Sequence, residues 1–285
     1  MSTLPRSQAQ KSASAESPRE HRTTTRSLSA RKRRGERFTM LTAYDYPFAR
    51  IFDEVGIDVL LVGDSLGNVV QGIDNTLPVT LDEMVYHTRM VARAVRRALV
   101  VGDMPFGSYQ ISPEDAVRSA LRLVKEGGAH AVKLEGGVGV AETIRRIVGA
   151  EIPVMGHVGL TPQAIHRMGG YRVQGRGEAE RARVLDDAHA VQEAGAFAVV
   201  LEGMPADLAC EITQGLRIPT VGIGAGVGCD GQVLVMHDML GLSDGFAPSF
   251  VKQYASLGPL VAQAARSFAE DVANAKFPGP EHSYR

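Results

Sequence analysis

The sequence has few cysteines and no long apolar run, and both absences narrow the possible classes of protein. Only Cys210 and Cys229 occur among the 285 residues, which is too few for a disulfide framework and favours a reducing cytosol. No CxxC or Cys/His zinc pattern is present. No apolar stretch approaches the roughly 20 residues of a membrane-spanning helix, and the N-terminus lacks the apolar segment of a secretory signal. We therefore expect a cytoplasmic protein without a membrane partner.

The charge of the chain is unevenly distributed. Residues 1–37 contain ten Lys or Arg and three Asp or Glu, a balance of +7, so the rest of the chain carries −8 against the formal total of −1. Contacts to phosphates are made by Lys and Arg, so an acidic body does not suit nucleic acid as a partner. It suits the binding of a cation.

The first 35 residues are predicted to form a disordered basic tail. They are rich in Ser, Thr, Arg and Lys and contain few large apolar residues, so they cannot bury enough surface to fold. The basic run at 31–34 would suit an anionic partner or an organelle signal, and Arg- and Ser-rich leaders resemble transit peptides. However, Glu16 and Glu20 interrupt the segment and it has no amphipathic period, which favours a solvated tail.

From Met40 onward, short apolar runs alternate with helical patterns, as is typical of βα units around a parallel sheet. The strands are predicted at Met40–Tyr44, Val59–Gly63, Leu99–Asp103, Ala131–Glu135, Pro153–His157, Phe197–Glu202, Thr220–Ile223 and Val233–Val235. The helices are predicted at Leu81–Arg97, Pro113–Glu126, Glu178–Glu193 and Ala206–Gln214, with a closing helix at Phe250–Ala275. Eight strands favour a closed (β/α)8 barrel over an open sheet, although periodicity alone does not prove closure. With no linker visible, residues 36–285 are predicted to be one catalytic domain of the length typical of such barrels, about 250 residues.

Ionisable residues stand at the ends of several predicted strands. They are Asp64, which is followed by Ser65, and then Asp103, Glu135, His157 and Glu202. All strands of a parallel barrel open on one face at their C-terminal ends, and active sites lie at that face. Lys133 precedes Glu135 by two residues and so points to the same side of its strand. We therefore expect these side chains to meet in one pocket.

Three carboxylates in a partly apolar mouth would repel one another unless a cation compensated their charge. Oxygen ligands without cysteine favour Mg²⁺ or Mn²⁺ over zinc, and such an ion stabilises a developing enolate. Taken singly, each of these residues also has a structural interpretation. A carboxylate after a strand can cap the next helix, Lys133 can form an ordinary ion pair, and His157 can be a structural histidine. Five such residues at five strand ends are better explained by a shared site.

Other candidate motifs carry less information. The glycine run at 222–226 follows a late strand, and its spacing does not match a dinucleotide-binding loop. It is either a loop for an anionic or flat ligand or a tight turn. Both cysteines lack a catalytic setting, and His87, His166 and His237 are expected to be structural or peripheral.

Seven stretches in order resemble the ketopantoate hydroxymethyltransferase family. They are Met40–Asp45, Val62–Gly67, Asp103–Gly107, Val132–Gly137, Gly156–Gln163, Val200–Pro205 and Gly222–Gln232. The resemblance covers residues 40–242. Two departures are Gly203, where many members have a larger residue, and a tail longer than usual.

The resemblance implies a Mg²⁺-dependent barrel of the phosphoenolpyruvate/pyruvate type that forms large homo-oligomers, typically decamers. Such enzymes transfer a hydroxymethyl group from 5,10-methylenetetrahydrofolate to 3-methyl-2-oxobutanoate through a Mg²⁺-stabilised enolate. The product is 2-dehydropantoate (ketopantoate), in the first committed step of pantothenate biosynthesis.

The resemblance also implies a role for each strand-end residue. Asp64 and Asp103 match direct metal ligands that also contact the keto acid, and Glu135 completes the metal site, directly or through water. Ser65, Lys133 and His157 match residues that hold the keto acid. Glu202 matches the base, and its flanks Leu201 and Met204 predict an apolar wall away from the metal.

Two rival hypotheses belong to other functional classes. One is a carbon–carbon lyase or phosphomutase of the related Mg²⁺-binding barrels, although the catalytic cysteine or basic phosphate-gripping loop usual in those enzymes is not found in the sequence. The other is a non-catalytic barrel that its basic tail tethers to nucleic acid. The intact strand-end carboxylates argue against lost catalysis.

Overall fold

The computed structural model describes residues 22–243 and 248–284. Eight parallel strands close into a barrel in the order of the sequence, with β1 paired to both β2 and β8. The strands are β1 Phe38–Thr42, β2 Val59–Val62, β3 Leu99–Asp103, β4 Ala131–Lys133, β5 Val154–Gly159, β6 Ala198–Glu202, β7 Thr220–Ile223 and β8 Gly231–Leu234. The predicted (β/α)8 barrel is confirmed.

Helices precede, connect and follow the eight strands. They are α1 Thr25–Arg34, α2 Tyr46–Glu54, α3 Leu66–Val69, α4 Leu81–Ala94, α5 Pro113–Lys125, α6 Ala141–Gly149, α7 Ile165–Met168, α8 Glu178–Glu193, α9 Ala206–Gly215, α10 Met236–Leu240 and α11 Leu257–Ala273. None of the helices in the described ranges is long and apolar enough to cross a membrane.

Local sequence signals determine where the main helices begin. Helix α4 starts behind Thr80, whose hydroxyl accepts a hydrogen bond from the backbone N–H of Glu83 while the Glu83 side chain bonds back to Thr80. Helix α5 starts behind Ser112 with Pro113 at its first position. Both arrangements satisfy backbone N–H groups that lack a partner within the helix.

Two apolar layers fill the molecule. The inner layer lies inside the barrel and comes from alternate strand residues such as Met40, Leu61, Val101, Met155 and Val200. The outer layer lies between the strands and the helices. Because successive strand residues face opposite sides, residues two positions beyond the inner layer also face the barrel interior. This alternation determines which strand-end side chains reach the active-site face.

The prediction of a tail extending to residue 35 is wrong for residues 25–34, which form helix α1. Leu28 is fully buried against the inner layer of the barrel. The guanidinium of Arg31 lies 2.8 Å from Asp58, and Nζ of Lys32 lies 2.8 Å from Asp230. Two of the four residues of the basic run therefore pair with acidic residues of the barrel, and a third, Arg34, pairs with Glu36. Residues 1–21 of the predicted tail lie outside the described residues.

The closing helix is shorter than predicted and does not pack on the barrel as expected. It begins at Leu257 rather than Phe250, and none of its residues is buried. Leu260, Val261, Phe268 and Val272 expose about half or more of their surface. Helix α11 therefore leaves an apolar surface uncovered in the single chain.

Candidate active site

The predicted strand-end residues lie together at the C-terminal face of the barrel. Asp103 follows the inward-facing Val101, Lys133 follows Ala131, His157 follows Met155 and Glu202 follows Val200, each at a spacing of two. Asp64 and Glu135 lie just beyond β2 and β4. Apart from Glu202 and Ser65, which are partly buried, these side chains are almost completely buried.

Asp64 and Asp103 are neighbours on adjacent strand ends. The backbone N–H of Asp64 donates to Oδ2 of Asp103 over 3.2 Å. The other carboxylate oxygen of Asp103, Oδ1, lies 2.8 Å from Nζ of Lys133. Lys133 thus pairs directly with Asp103, whereas within residues 22–243 and 248–284 no ion pair to Asp64 is present.

A chain of contacts runs from Lys133 to Glu202. Nζ of Lys133 lies 3.9 Å from Oε1 of Glu135 and 3.4 Å from Nδ1 of His157. Nδ1 of His157 is also 3.4 Å from Oε1 of Glu135, and its Nε2 is 3.1 Å from Oε2 of Glu202. His157 therefore joins the predicted metal side of the pocket to the predicted base, a role beyond that of an isolated structural histidine.

The wall around Glu202 is apolar only in part. Leu201 and Met204 are buried beside it, as expected from the sequence. Its carboxylate, however, contacts the imidazole of His157. Gly203, the departure from the family pattern, has a φ of +56°, and a Cβ there would press on Leu160 at 3.0 Å. Glycine is therefore the residue that this turn best accommodates in this chain.

Ser65 occupies the end of β2 beside a buried tyrosine. Its Oγ lies 2.8 Å from the hydroxyl of Tyr44, and Nδ1 of His87 lies 2.7 Å from the carbonyl oxygen of Tyr44. The ring of His237 packs on Tyr44 with a centroid separation of 5.5 Å. His87 and His237 thus support the wall behind Ser65, whereas His166 is exposed on the short helix α7.

Gln163 and Tyr109 belong to the same network, although the sequence did not single them out. The Gln163 side chain bonds to Asp64 and its backbone N–H bonds to Glu135. The Tyr109 hydroxyl bonds to Gln163. Tyr109 lies in a loop and Gln163 in a short 3-10 helix, so neither stands at a strand end. The only sequence signal was that Gln163 ends one of the family-like stretches.

The three carboxylates nearest Lys133 have shifted pKa values, and the direction of the shift differs among them. Burial raises the pKa of Asp64, and the nearby charges of Asp103 and Glu135 raise it further. Burial also raises the pKa of Asp103, against the effect of Lys133. Burial opposes ionisation of Glu135, but its hydrogen bond to His157 prevails and lowers its pKa.

The two basic groups of the pocket both retain their protons. Burial lowers the pKa of Lys133, but Asp103, Glu135 and Asp64 outweigh burial and raise it. Burial and Lys133 lower the pKa of His157, whereas its bonds to Glu135 and Glu202 raise it to about 9. Four carboxylates thus face two cations in a largely buried pocket.

The donor set of the pocket fits a hard divalent cation. Asp64 and Asp103 supply carboxylate oxygens, and a further positive charge would compensate the excess negative charge. Within residues 22–243 and 248–284, no three His, Cys, Asp or Glu side chains already surround one metal position. Asp64 and Asp103 meet at adjacent strand ends, and Lys133 lies 2.8 Å from Asp103 and 3.9 Å from Glu135. These three carboxylates therefore share one pocket and are the groups that would hold the ion.

The glycine run and the cysteines contribute nothing visible to this network. The run follows β7, and Gly224 and Gly226 have φ values of +58° and +75°, as in a tight turn. Cys229 is buried, and burial raises the pKa of its thiol. Cys210 lies in helix α9.

Comparison with known proteins places the chain in a family. A sequence profile described as ketopantoate hydroxymethyltransferase matches residues 22–280. The 3-methyl-2-oxobutanoate hydroxymethyltransferase of Geobacter sulfurreducens is 61% identical over 253 residues, 89% of this chain and 95% of the relative. That of Leifsonia xyli is 58% identical over 268 residues, 94% of this chain and 96% of the relative. The chain belongs to the ketopantoate hydroxymethyltransferase family. It is therefore an enzyme of the transferase class.

Solved structures of other enzymes share the barrel fold of this chain. Phosphonopyruvate hydrolase, solved with oxalate and Mg²⁺, has a TM-score of 0.59 at 13% identity, covering 91% of this chain and 93% of its own. A 2,3-dimethylmalate lyase of the PEP mutase/isocitrate lyase superfamily has a TM-score of 0.57 at 20% identity, covering 91% and 92%. Similarity at this level of identity concerns the fold alone.

Proposed function

We propose that the enzyme transfers a hydroxymethyl group from 5,10-methylenetetrahydrofolate to 3-methyl-2-oxobutanoate and forms 2-dehydropantoate. The observation that carries this proposal is the contact chain from Lys133 through Glu135 and His157 to Glu202, which faces Asp64 and Asp103. It combines a place for an anionic 2-keto acid with a carboxylate base in one pocket. The acceptor named for the curated relatives has this chemistry.

The keto acid is held by the groups around the two aspartates. Lys133 provides a buried ammonium for the negative charge of the substrate, and Ser65 provides a hydroxyl whose position Tyr44 fixes. Asp64 and Asp103, with Glu135 behind them, would hold Mg²⁺. When bound, this ion supplies positive charge that stabilises the negative charge developing on the keto oxygen.

Glu202 acts as the general base. It takes the proton from C3 of the keto acid, and its carboxylate is held by Nε2 of His157. C3 then forms a bond to the methylene carbon of the folate. Overall, one C–H bond, one O–H bond of water and two C–N bonds break, while one C–C bond, one C–O bond and two N–H bonds form. Water supplies the hydroxyl oxygen, and the two folate nitrogens finish with the C3 proton and a proton from water.

A large homo-oligomer is part of the proposal. Helix α11 exposes Leu260, Val261, Phe268 and Val272, and an uncovered apolar surface of this kind is typical of an interface with another chain. A decamer of the 30.5 kDa chain would have a mass of about 305 kDa. We also propose that the enzyme works in the cytoplasm, at the first committed step of pantothenate biosynthesis.

A turnover assay tests the reaction. The purified chain is incubated with 3-methyl-2-oxobutanoate and 5,10-methylenetetrahydrofolate, with Mg²⁺ or with a chelator, and 2-dehydropantoate is measured. We expect product only when both substrates and Mg²⁺ are present. No turnover with any divalent metal, or cleavage of a small dicarboxylate without folate, would contradict the proposal and favour a lyase.

A further inference from the structure

Gln163 connects three strand ends of the active site through one side chain and one backbone group. Its Nε2 lies 2.8 Å from Oδ2 of Asp64 and 3.0 Å from the carbonyl oxygen of Met104. Its backbone N–H donates to Oε2 of Glu135 over 3.0 Å. Its side chain is buried, so these bonds are shielded from water. Gln163 therefore contacts two of the three predicted metal-site carboxylates without being a candidate ligand itself.

The orientation of the Gln163 amide is determined by its partners. The hydroxyl of Tyr109 donates to Oε1 of Gln163 over 2.7 Å, and Nε2 of Gln110 lies 3.3 Å from the same oxygen. The opposite orientation would place Oε1 against the carboxylate of Asp64 and the carbonyl of Met104, so three acceptors would meet without a donor. Only the observed orientation gives both N–H groups an acceptor.

Tyr109 is itself fixed by the strand end that carries Glu135. Its hydroxyl lies 3.2 Å from the backbone nitrogen and 3.2 Å from the backbone oxygen of Glu135. Since a phenol has one proton, donation to Gln163 over the shorter distance leaves the oxygen to accept from the Glu135 N–H. The orientation of the amide is thereby tied to the end of β4.

We propose that Gln163 is a positioning residue that holds the carboxylates of Asp64 and Glu135 for the divalent cation, with Tyr109 setting the orientation of its amide. The inference rests on the proposed function, because it assigns a role toward the same cation. Gln163 bonds to Oδ2 of Asp64, and its amide does not engage Oδ1, the other oxygen of that carboxylate. The carboxylate is therefore held by one oxygen while the other is available to a ligand.

The test measures metal affinity directly, with Mn²⁺ as the probe and electron paramagnetic resonance of the free ion as the readout. Gln163→Met keeps most of the side-chain volume but removes both hydrogen-bonding ends. Losing a residue that orients a metal ligand typically weakens metal affinity roughly 10- to 100-fold, and we expect Gln163→Met to raise the Kd for Mn²⁺ by that factor. We expect kcat to recover in large part at saturating metal.

Gln192→Met is the matched control. Gln192 is also buried. Its Oε1 accepts from the backbone N–H of Arg217 over 2.6 Å and its Nε2 donates to Glu193, which is not one of the pocket carboxylates. We expect this variant to lower Tm without changing the Kd for Mn²⁺. A Kd for Gln163→Met within twofold of the wild-type value would overturn the inference while leaving the proposed function intact.

Tyr109→Phe provides a second variant if Gln163→Met does not fold. It removes the donor to Oε1, and the loss of one hydrogen bond should raise the Kd for Mn²⁺ about 2- to 10-fold. In the double variant, Tyr109→Phe should add little to Gln163→Met, because both act through one amide. Full additivity would contradict the proposed coupling. Absence of Mn²⁺ binding by the wild type would overturn both the metal site of the proposed function and this inference.

Discussion

Nε2 of His157 lies 3.1 Å from Oε2 of Glu202, while Nδ1 of the same ring lies 3.4 Å from Oε1 of Glu135. One imidazole thus spans the two sides of the pocket. Burial and the charge of Lys133 lower the pKa of this ring, but its two carboxylate neighbours prevail and raise it to about 9. Its position fixes the distance between the base and the predicted metal site.

Replacing His157 should therefore impair catalysis more than stability. In His157→Ala, Glu202 and Glu135 lose their common partner, and a displacement of the base by about 1 Å can cost about 100-fold in rate. We expect kcat/KM to fall about 10- to 100-fold in steady-state assays. His189→Gln, which alters an exposed histidine on helix α8, is the control and should retain wild-type activity. Equal activity of the two variants would contradict this role of His157.

Helix α1 should contribute measurably to the stability of the barrel. Leu28 is fully buried against the inner layer, and replacing a buried leucine by alanine typically costs about 2–5 kcal/mol. We expect Leu28→Ala to lower the free energy of unfolding by that amount in urea titrations. Val55→Ala alters an exposed side chain and should change it by no more than about 0.5 kcal/mol. Wild-type stability of Leu28→Ala would mean that α1 does not pack on the barrel.

Gly159 should not tolerate a side chain. Its φ is +93°, and an added Cβ would overlap the carbonyl oxygen of Glu202. The backbone N–H of Leu160 donates to that oxygen over 2.8 Å, so the strain would reach the base. We expect Gly159→Ala to cost about 1–3 kcal/mol of stability in urea unfolding and to reduce activity. Gly139→Ala, where no atom lies within 4 Å of the new Cβ, should be close to neutral. If Gly159→Ala had the stability and activity of the wild type, the close approach of the Glu202 carbonyl oxygen to this position would be excluded.

His130 should make stability depend on pH in a mildly acidic range. Burial, followed by the charge of Arg22, lowers its pKa from 6.5 to about 4. Nδ1 of the ring accepts a hydrogen bond from the backbone N–H of Val100. Between these values the unfolded chain binds more protons than the folded chain, so this contribution is complete above pH 6.5 and is lost as the pH falls to about 4. The ring is only partly buried, which limits the loss to about 1–2 kcal/mol.

The comparison that isolates this effect is between the wild type and His130→Gln. Urea unfolding is measured at several values between pH 4 and 7. The difference in stability between the two proteins should shrink as the pH falls, because only the wild type loses this contribution. Parallel pH profiles would show that His130 titrates normally in the folded state.

The fold was predictable because its signals are local. Alternating apolar runs, and caps such as Ser112 with Pro113, mark the βα units, and the observed strand boundaries agree with the predicted ones within two residues. Helix α1 was missed because Leu28 is nearly its only large apolar residue. Its remaining support comes from the pairs of Arg31 with Asp58 and of Lys32 with Asp230, which lie far apart in the sequence.

The candidate site was predictable in part, because the positions of strand ends are also a local signal in the sequence. Strand-end positions bring Asp103, Glu135 and Glu202 to one face regardless of the details of packing. Gln163 and Tyr109 reach that face through loops, whose paths depend on tertiary contacts. The exposed apolar surface of α11 was not predictable because its periodic pattern equally fits a helix packed on its own barrel.

The most direct test of the account is the exchange of the C3 hydrogen of 3-methyl-2-oxobutanoate for deuterium, followed by ¹H NMR in D₂O without folate. The account predicts exchange by the wild type with Mg²⁺ and a loss of about 10²- to 10⁴-fold in Glu202→Gln, which should still bind Mn²⁺ with wild-type affinity. Exchange by Glu202→Gln at the wild-type rate would contradict the assignment of Glu202 as the base.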